Sequence, residues 1–477
     1  MKKHFGVILF CAIAIVVIAT GCRKEKFLDT GGELRFSVDT LTFDTVFTSL
    51  GSYTAWVKIY NPQNQPVNIS SVKLEGGDGS QFNINVNGQK GNVVQDIEIA
   101  PKDSIYVFAT VNIDPNNENN PFVVQDKLIA TLNGRQYTIP FLAFGQNAYY
   151  LVDSLITNNQ VWNTDKPYVI IRNAAVDENV TVTIPPGCRI YVHADSRLIV
   201  LGTLKVKGTK QDSVIFQGDR LDRKYFGNEG YPGEWGGIYF TSTSRDNEID
   251  YAILKNVGNS TRLGESVFTP AAIQLNADTI DDGKPQLLLT NTIIENSIGH
   301  GILAFGSTLV ARNCLINTCG AQCLAVFQGG GYYLDNCTFV TYGTDKVSHI
   351  DNPVMALLNY LDVGNNSYIA GPLIVEMRNS VVWGSLETEF FAKGVEGAEF
   401  NVKLENCLVK NKDGMPAGIN AIDCKVNEDP KFKNYTGWDY RPDEGSPLIN
   451  AGKDIGLPAD LDGKARDGQP DIGCYEY

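Results

Sequence analysis

From Leu34 to about Ala148 apolar and polar residues alternate with a period of two. "LRFSVDTLTFDTVF", "TAWVKIYN", "ISSVKLEG", "QFNINVNG", "DSIYVFATVNI" and "KLIATLNGRQYTIPFLAFG" each read as a strand. Turn clusters such as "NPQNQP", "GGDG" and "DPNNENNP" separate them, and no helical period of any length appears. Six or more short strands predict an antiparallel β-sandwich over 33–148.

After a connecting stretch, "NNQVWNTDKPYVI", the pattern changes. Five segments align: "NTIIENS" from Asn291, "NCLINTC" from Asn313, "NCTFVTY" from Asn336, "NSVVWGS" from Asn379 and "NCLVKNK" from Asn406. Each is Asn, a small residue, then apolar residues. The spacings are 22, 23, 43 and 27. Two steps read as one coil, 43 as close to two coils, and 27 as one coil with an insertion. A period in the low twenties built of short strands indicates a solenoid. Leu-x-x-Leu-x-Leu spacing is absent, so a parallel β-helix fits better than a leucine-rich repeat. Stacked coils lie about 4.8 Å apart, so equivalent residues form ladders. The asparagines are expected to bond along one ladder. Cys314, Cys337 and Cys407 share a register and are expected to stack inward, where a small apolar side chain fits.

Resemblance sharpens both halves. "VKIYNPQNQPVNISSVKLEG" with "IAPKDSIYVFATV" resembles immunoglobulin-like modules of cilia, spindle and bacterial surface proteins. "VTIPPGCRIYVHADSRLIVLGTLKVKGT" resembles the opening coils of bacterial right-handed parallel β-helix proteins with the pectin-lyase-like fold. "SPLINAGKDIG…DLDGKARDGQPDIGCYEY" is similar to their closing segment, with Cys474 where Ala is common. The expected fold class is all-β: an N-terminal sandwich, a right-handed parallel β-helix over 149–440 and a closing segment over 441–477. That fold hosts adhesins, glycan-active enzymes and structural proteins, so it implies little about function.

The N-terminus reads as a signal over 1–21, followed by a tether over 22–32. Lys2 and Lys3 precede the apolar run Phe5 to Ile18, which is short for a bilayer span of about 20 residues. Ala19-Thr20-Gly21-Cys22 resembles a bacterial lipobox, although Leu is commoner where Ala19 stands. The resemblance implies that Cys22 carries the lipid. Arg23 follows where an inner-membrane retention signal would place Asp, so an outer-membrane lipoprotein is expected, with surface exposure left open. Net charge is −14 and falls to −16 without Lys2 and Lys3. Nucleic acid is therefore not an expected partner. Of ten cysteines, eight remain after Cys11 and Cys22. Most of these read as small buried residues.

Candidate chemistry is sparse. Gly299-His300-Gly301 resembles the Gly-His-Gly of polygalacturonases, which also need aspartates on successive coils and an Arg-x-Lys. Here Asp278, Asp281 and Asp282 crowd one polar loop and no Arg-x-Lys follows. A turn that needs glycines accounts for His300 better. Pectate lyases need clustered carboxylates for calcium. "DLDGKARDG" mimics the start of a calcium loop but lacks its later Glu, so no cofactor is expected, with calcium the alternative. The excursion "QGDRLDRKYFGNEGYPGEWGG" offers Arg220, Arg223, Tyr225, Tyr231 and Trp235 for sugar stacking and hydroxyl recognition, or for packing the loop onto the coils. The reading is a membrane-anchored lipoprotein that binds or adheres, with a polysaccharide or cell-surface partner. The alternatives are a polysaccharide lyase or glycoside hydrolase, and a structural component of the envelope.

Overall fold

A computed structural model describes residues 26–223, 230–263, 265–277, 283–365 and 367–477. The chain divides into two compact units, Met1–Asn147 and Ala148–Tyr477. The first unit holds two five-stranded sheets. One contains Arg35–Phe36, Ala55–Tyr60, Ser104–Val111, Phe82–Val86 and Gln89–Lys90; the other contains Leu41–Phe47, Arg135–Gln146, Phe122–Leu132, Val67–Leu74 and Val93–Ile99. Their pairings are antiparallel except between Arg135–Gln146 and Leu41–Phe47, which run parallel. Alternation decides what is inside: Ala55, Val57 and Ile59 are buried while Trp56 and Tyr60 face solvent. The "NPQNQP" turn closes on Asn61. Its buried amide donates to the Gln65, Ile99 and Ala100 carbonyls, and its Oδ1 accepts from the Gln63 N–H.

The second unit is a 26-stranded, all-parallel sheet wound into a helix of three faces. The first face stacks Arg189–Val192, Val214–Gly218, Ala252–Val257, Ile293–Ser297, Leu315–Cys319, Thr338–Thr341, Val381–Gly384 and Leu408–Val409. The second runs from Arg197–Val200 through Ile238–Phe240 and Ala271–Leu275 into the first half of His300–Arg312, and on to Phe390–Lys393. The third includes Asn247–Asp250, Leu287–Thr290, Leu373–Arg378 and Phe400–Glu405. A continuous apolar core fills the space they enclose. One coil alone could not bury its inner residues, so each depends on its neighbours.

The repeated asparagines sit where the third face turns into the first. All five adopt left-handed backbone, with φ of 47°, 52°, 49°, 47° and 50° at Asn291, Asn313, Asn336, Asn379 and Asn406. Asn tolerates that region better than other side chains with a Cβ. The expected amide ladder forms only in places: Asn313 donates to Asn291 at 3.3 Å and Asn379 to Asn336 at 3.2 Å.

The next position differs from expectation in its chemistry. Cys314, Cys337 and Cys407 do stack inward and are fully buried. Yet Thr292 and Ser380 share their register, so the place is not reserved for apolar groups. What recurs is a donor. The hydroxyls of Thr292 and Ser380 and the thiols of Cys314, Cys337 and Cys407 each donate to the carbonyl two residues earlier, at 2.7 to 3.4 Å. Each of these carbonyls also accepts a backbone N–H from the preceding coil, so the side-chain donor fills its second lone pair.

The 43-residue step is a correction. Thr338–Thr341 pairs directly with Val381–Gly384, so Asn336 and Asn379 lie on adjacent coils. The extra length is one excursion over 342–354 and one hairpin, Tyr360–Gly364 with Ser367–Ala370. Spacing alone does not distinguish two coils from one coil carrying insertions.

The closing segment covers the outside of the first face. Tyr440, Leu448, Leu461, Ile472, Cys474 and Tyr475 pack on Leu315, Val340, Val381, Trp383 and Leu408 as a second core. Leu315–Cys319, Thr338–Thr341 and Val381–Gly384 are thus buried on both sides, at every position, polar Asn317 and Thr318 included. The asparagine amides turn toward this strap. Asn313 donates to the Ala459 carbonyl, Asn336 to those of Asp471 and Gly473, Asn379 to Lys453 and Asn406 to Ala451.

Candidate functional site

The aromatic excursion divides between packing and surface. Trp235 has no exposed area, stacks on Phe216 and donates its indole N–H to the Lys255 carbonyl at 3.0 Å. It serves the core. Arg223 is buried with Glu234: its Nε donates to that carboxylate at 2.8 Å and its Nη2 to the Gly218 carbonyl at 3.0 Å. Arg220 holds Asp222 through two bonds of 2.8 and 2.7 Å. The Arg223–Glu234 pair shapes the loop from inside, whereas Arg220 reaches Asp222 from the surface. Tyr231 remains exposed, with Lys346 Nζ 4.7 Å from its ring centre. Tyr225 lies outside the described residues.

His300 begins the second-face strand His300–Arg312 and pairs with Ala271 on the preceding coil. Both neighbouring glycines have a packing reason. A Cβ on Gly299 would meet the Pro270 carbonyl oxygen at 2.1 Å; one on Gly301 would meet Ile316 at 2.5 Å and the Cys323 carbonyl oxygen at 2.6 Å. The coils approach too closely there for any side chain. Burial keeps the imidazole neutral, lowering its pKa from 6.5 to about 4, with a hydrogen bond to Gln322 opposing. Its Nδ1 has no partner among the described residues. Asp278, Asp281 and Asp282 lie outside them.

That burial fixes the sign of a pH effect. The unfolded chain takes up a proton at this imidazole near pH 6.5, the folded chain only near 4. Stability should therefore fall as pH drops through that window, by on the order of 3 kcal/mol. His300→Gln should flatten that part of the profile in denaturant titrations. An unchanged slope would mean that the ring is wet in the folded state.

A cleft of about 610 Å³ lies elsewhere, where the first face meets the segment 427–435 that precedes the strap. Tyr342, Trp383, Phe432 and Tyr435 supply rings, and Lys410, Lys412, Lys431, Glu387 and Asp429 supply charge. Tyr342 and Tyr435 lie 4.4 Å apart at 33°. Lys410 Nζ sits 5.1 Å from the Trp383 ring centre and donates to the Gly384 carbonyl at 2.7 Å. Burial, then the nearby Asp429 carboxylate, push the Tyr342 phenol up, so it stays a donor at neutral pH. Lys412, 2.6 Å from Glu387, holds that carboxyl below its usual range. Tyr435 is the open ring, 48% exposed, whereas Trp383 forms the floor at 7%.

Sequence reading missed this site, although the aligned repeats contained half of it. Tyr342, Trp383, Lys410 and Lys412 close the segments "NCTFVTY", "NSVVWGS" and "NCLVKNK". Aligning for what recurs hid what varies at the segment ends. Phe432 and Tyr435 come from nearly a hundred residues beyond Tyr342, so only the fold joins them.

Behind the cleft stands a buried His–Glu pair. His349 Nε2 lies 3.0 Å from both Glu389 oxygens, and neither side chain has exposed area. Glu389 also accepts from the N–H of Val354 at 3.0 Å and of Leu386 at 2.7 Å. It thereby ties the excursion after Tyr342 to the turn carrying Glu387.

Among the described residues no group of three or more His, Cys, Asp or Glu is arranged to hold a metal. In "DLDGKARDG" the carboxylates have other partners. Asp460 accepts from the Lys464 and Glu476 N–H groups, and Asp462 pairs with Lys210 and Arg441. The described cysteines are free thiols, all buried except Cys424, which is half-buried; Cys22 lies outside the described residues. No helix among the described residues is long and apolar enough to cross a membrane.

No family model and no curated protein matches the chain. Among solved structures, a family 123 glycoside hydrolase from Clostridium perfringens is similar at 12% identity and a TM-score of 0.17. The match spans 24% of this chain and 26% of that one, and a likeness so slight carries no argument.

Proposed function

We propose that this chain is an envelope-anchored lipoprotein of the pectin-lyase-like β-helix class whose second unit binds glycans without cleaving them. The observation that supports it is the cleft of Tyr342, Trp383, Phe432 and Tyr435 edged by three lysines. Rings stack on the apolar faces of pyranoses, while ammonium and amide groups read hydroxyls and carboxylates. Three lysines against Glu387 and Asp429 favour an acidic polysaccharide over a neutral one. Affinity electrophoresis against acidic and neutral polysaccharides tests the reading, scored together with the release of new chain ends. Tyr435→Ala should weaken retention about ten-fold, since burying one aromatic side chain contributes roughly 1.5–3 kcal/mol. Retention unaltered by this substitution would remove the cleft from consideration. New chain ends would favour the alternative, a polysaccharide lyase or glycoside hydrolase.

The anchor is proposed from the lipobox-like run ending at Cys22. Several acyl chains, at about 0.8 kcal/mol per buried CH₂, hold a soluble domain to the outer membrane. Cys22→Ala should abolish metabolic lipid labelling and leave unprocessed precursor. Labelling that persists in the variant is incompatible with attachment at Cys22.

A further inference from the structure

Arg197 begins the second-face strand Arg197–Val200. Leu198 and Val200 point into the core, so alternation sends Arg197 outward. Outward is not exposed here. The hairpin of Thr261–Leu263 and Ser266–Phe268 covers it, and the side chain retains no accessible area. Nε donates to Thr261 Oγ1 at 2.9 Å, and the guanidinium carbon lies 5.0 Å from the Phe268 ring centre. Nη1 and Nη2 have no hydrogen-bond partner among the described residues, and neither has the buried Ser196 hydroxyl next in the chain.

The other deeply buried arginines differ. Arg223 meets Glu234 and Arg466 meets Glu476. Around Arg197, among the described residues, the ionisable group that acts on it is the Tyr239 phenol. Burial lowers the Arg197 pKa only to about 10, so it is charged at neutral pH. A desolvated, unpaired guanidinium costs several kcal/mol, and its two free nitrogens form a fork that fits two oxygens of one anion.

We propose that Arg197 anchors a binding site for a small oxyanion beneath this hairpin, with a carboxylate or phosphate seated on Nη1 and Nη2. The inference stands apart from the glycan cleft, which uses none of these residues. The same chemistry could come from a free anion or from the carboxylate of a uronic acid.

Thermal unfolding of the full chain in acetate, inorganic phosphate or D-glucuronate tests it, with chloride at matched ionic strength as control. At least one oxyanion should raise the transition by a few degrees and saturate, as a ligand bound to the folded state does. Arg197→Met should abolish that rise. Without oxyanion it should unfold at or above the wild-type temperature, because the apolar substitute removes an uncompensated buried charge. Arg197→Lys, which keeps charge but loses the fork, should respond more weakly than wild type. A response to acetate or phosphate identifies a free anion as the source, and a response to glucuronate alone identifies the sugar. If no oxyanion moves the wild-type transition, or if Arg197→Met keeps the response, the site does not exist.

Discussion

A chain ending at Gly445 should lose the late coils of the β-helix. The strap beyond that point covers Leu315, Val340, Val381 and Leu408 on the outside of the first face. Its own Leu448, Leu461, Ile472 and Tyr475 are each buried, and burial contributes roughly 1.5–3 kcal/mol per side chain. Their sum is comparable with the 5–15 kcal/mol that holds a typical domain. Truncation also strips the acceptors from four asparagine amides. Dye binding to exposed apolar surface should rise, and the thermal transition should broaden and drop by well over ten degrees, or vanish. A truncated chain that melts like the full one would make the strap an ornament. Point changes at Asn336 resolve the contribution. Asn336→Gly keeps the left-handed turn and loses the bonds to Asp471 and Gly473, costing about 1–3 kcal/mol. Asn336→Ala adds the strain of a Cβ there, and should cost about 1 kcal/mol more.

Breaking the His349–Glu389 pair should be the most damaging single substitution near the cleft. Removing one partner of this buried pair leaves the other without its hydrogen bonds, at about 1–3 kcal/mol and more for a charged group. Glu389 would also abandon the Val354 and Leu386 N–H groups. Glu389→Ala and His349→Ala should each lower the urea midpoint strongly. The double variant should cost less than their sum, because the two act as one unit. Glycan retention should fall with them, since Glu389 orders the backbone on either side of the cleft. A loss below about 1 kcal/mol in both single variants would show that water reaches the pair.

The sequence made the architecture legible because it is periodic. Period-two alternation marks the sandwich strands, and Asn followed by a small residue marks the turn of the later coils. Both are local consequences of backbone geometry, so they leave a local trace. Insertions leave none: the step from Asn336 to Asn379 holds one coil and two excursions, and nothing in its length says so. The strap was legible as a closing segment only through resemblance. Leu448, Leu461, Ile472 and Tyr475 follow no period, because they answer to pits on another surface. The cleft likewise joins distant segments, since the fold brings Tyr435 to Tyr342. Composition pointed to the 217–237 excursion instead. It registers that Trp235 is aromatic, not that the ring turns inward.

The strap has a consequence for how the molecule comes apart. In a plain solenoid each coil touches only the next, so the stack can fray from an end, one rung at a time. Here a single length of chain fastens the rungs at Asn313, Asn336, Asn379 and Asn406 simultaneously. A coil that leaves must part from a strap that the other three still hold. The late coils are thereby made to open together, as one cooperative block.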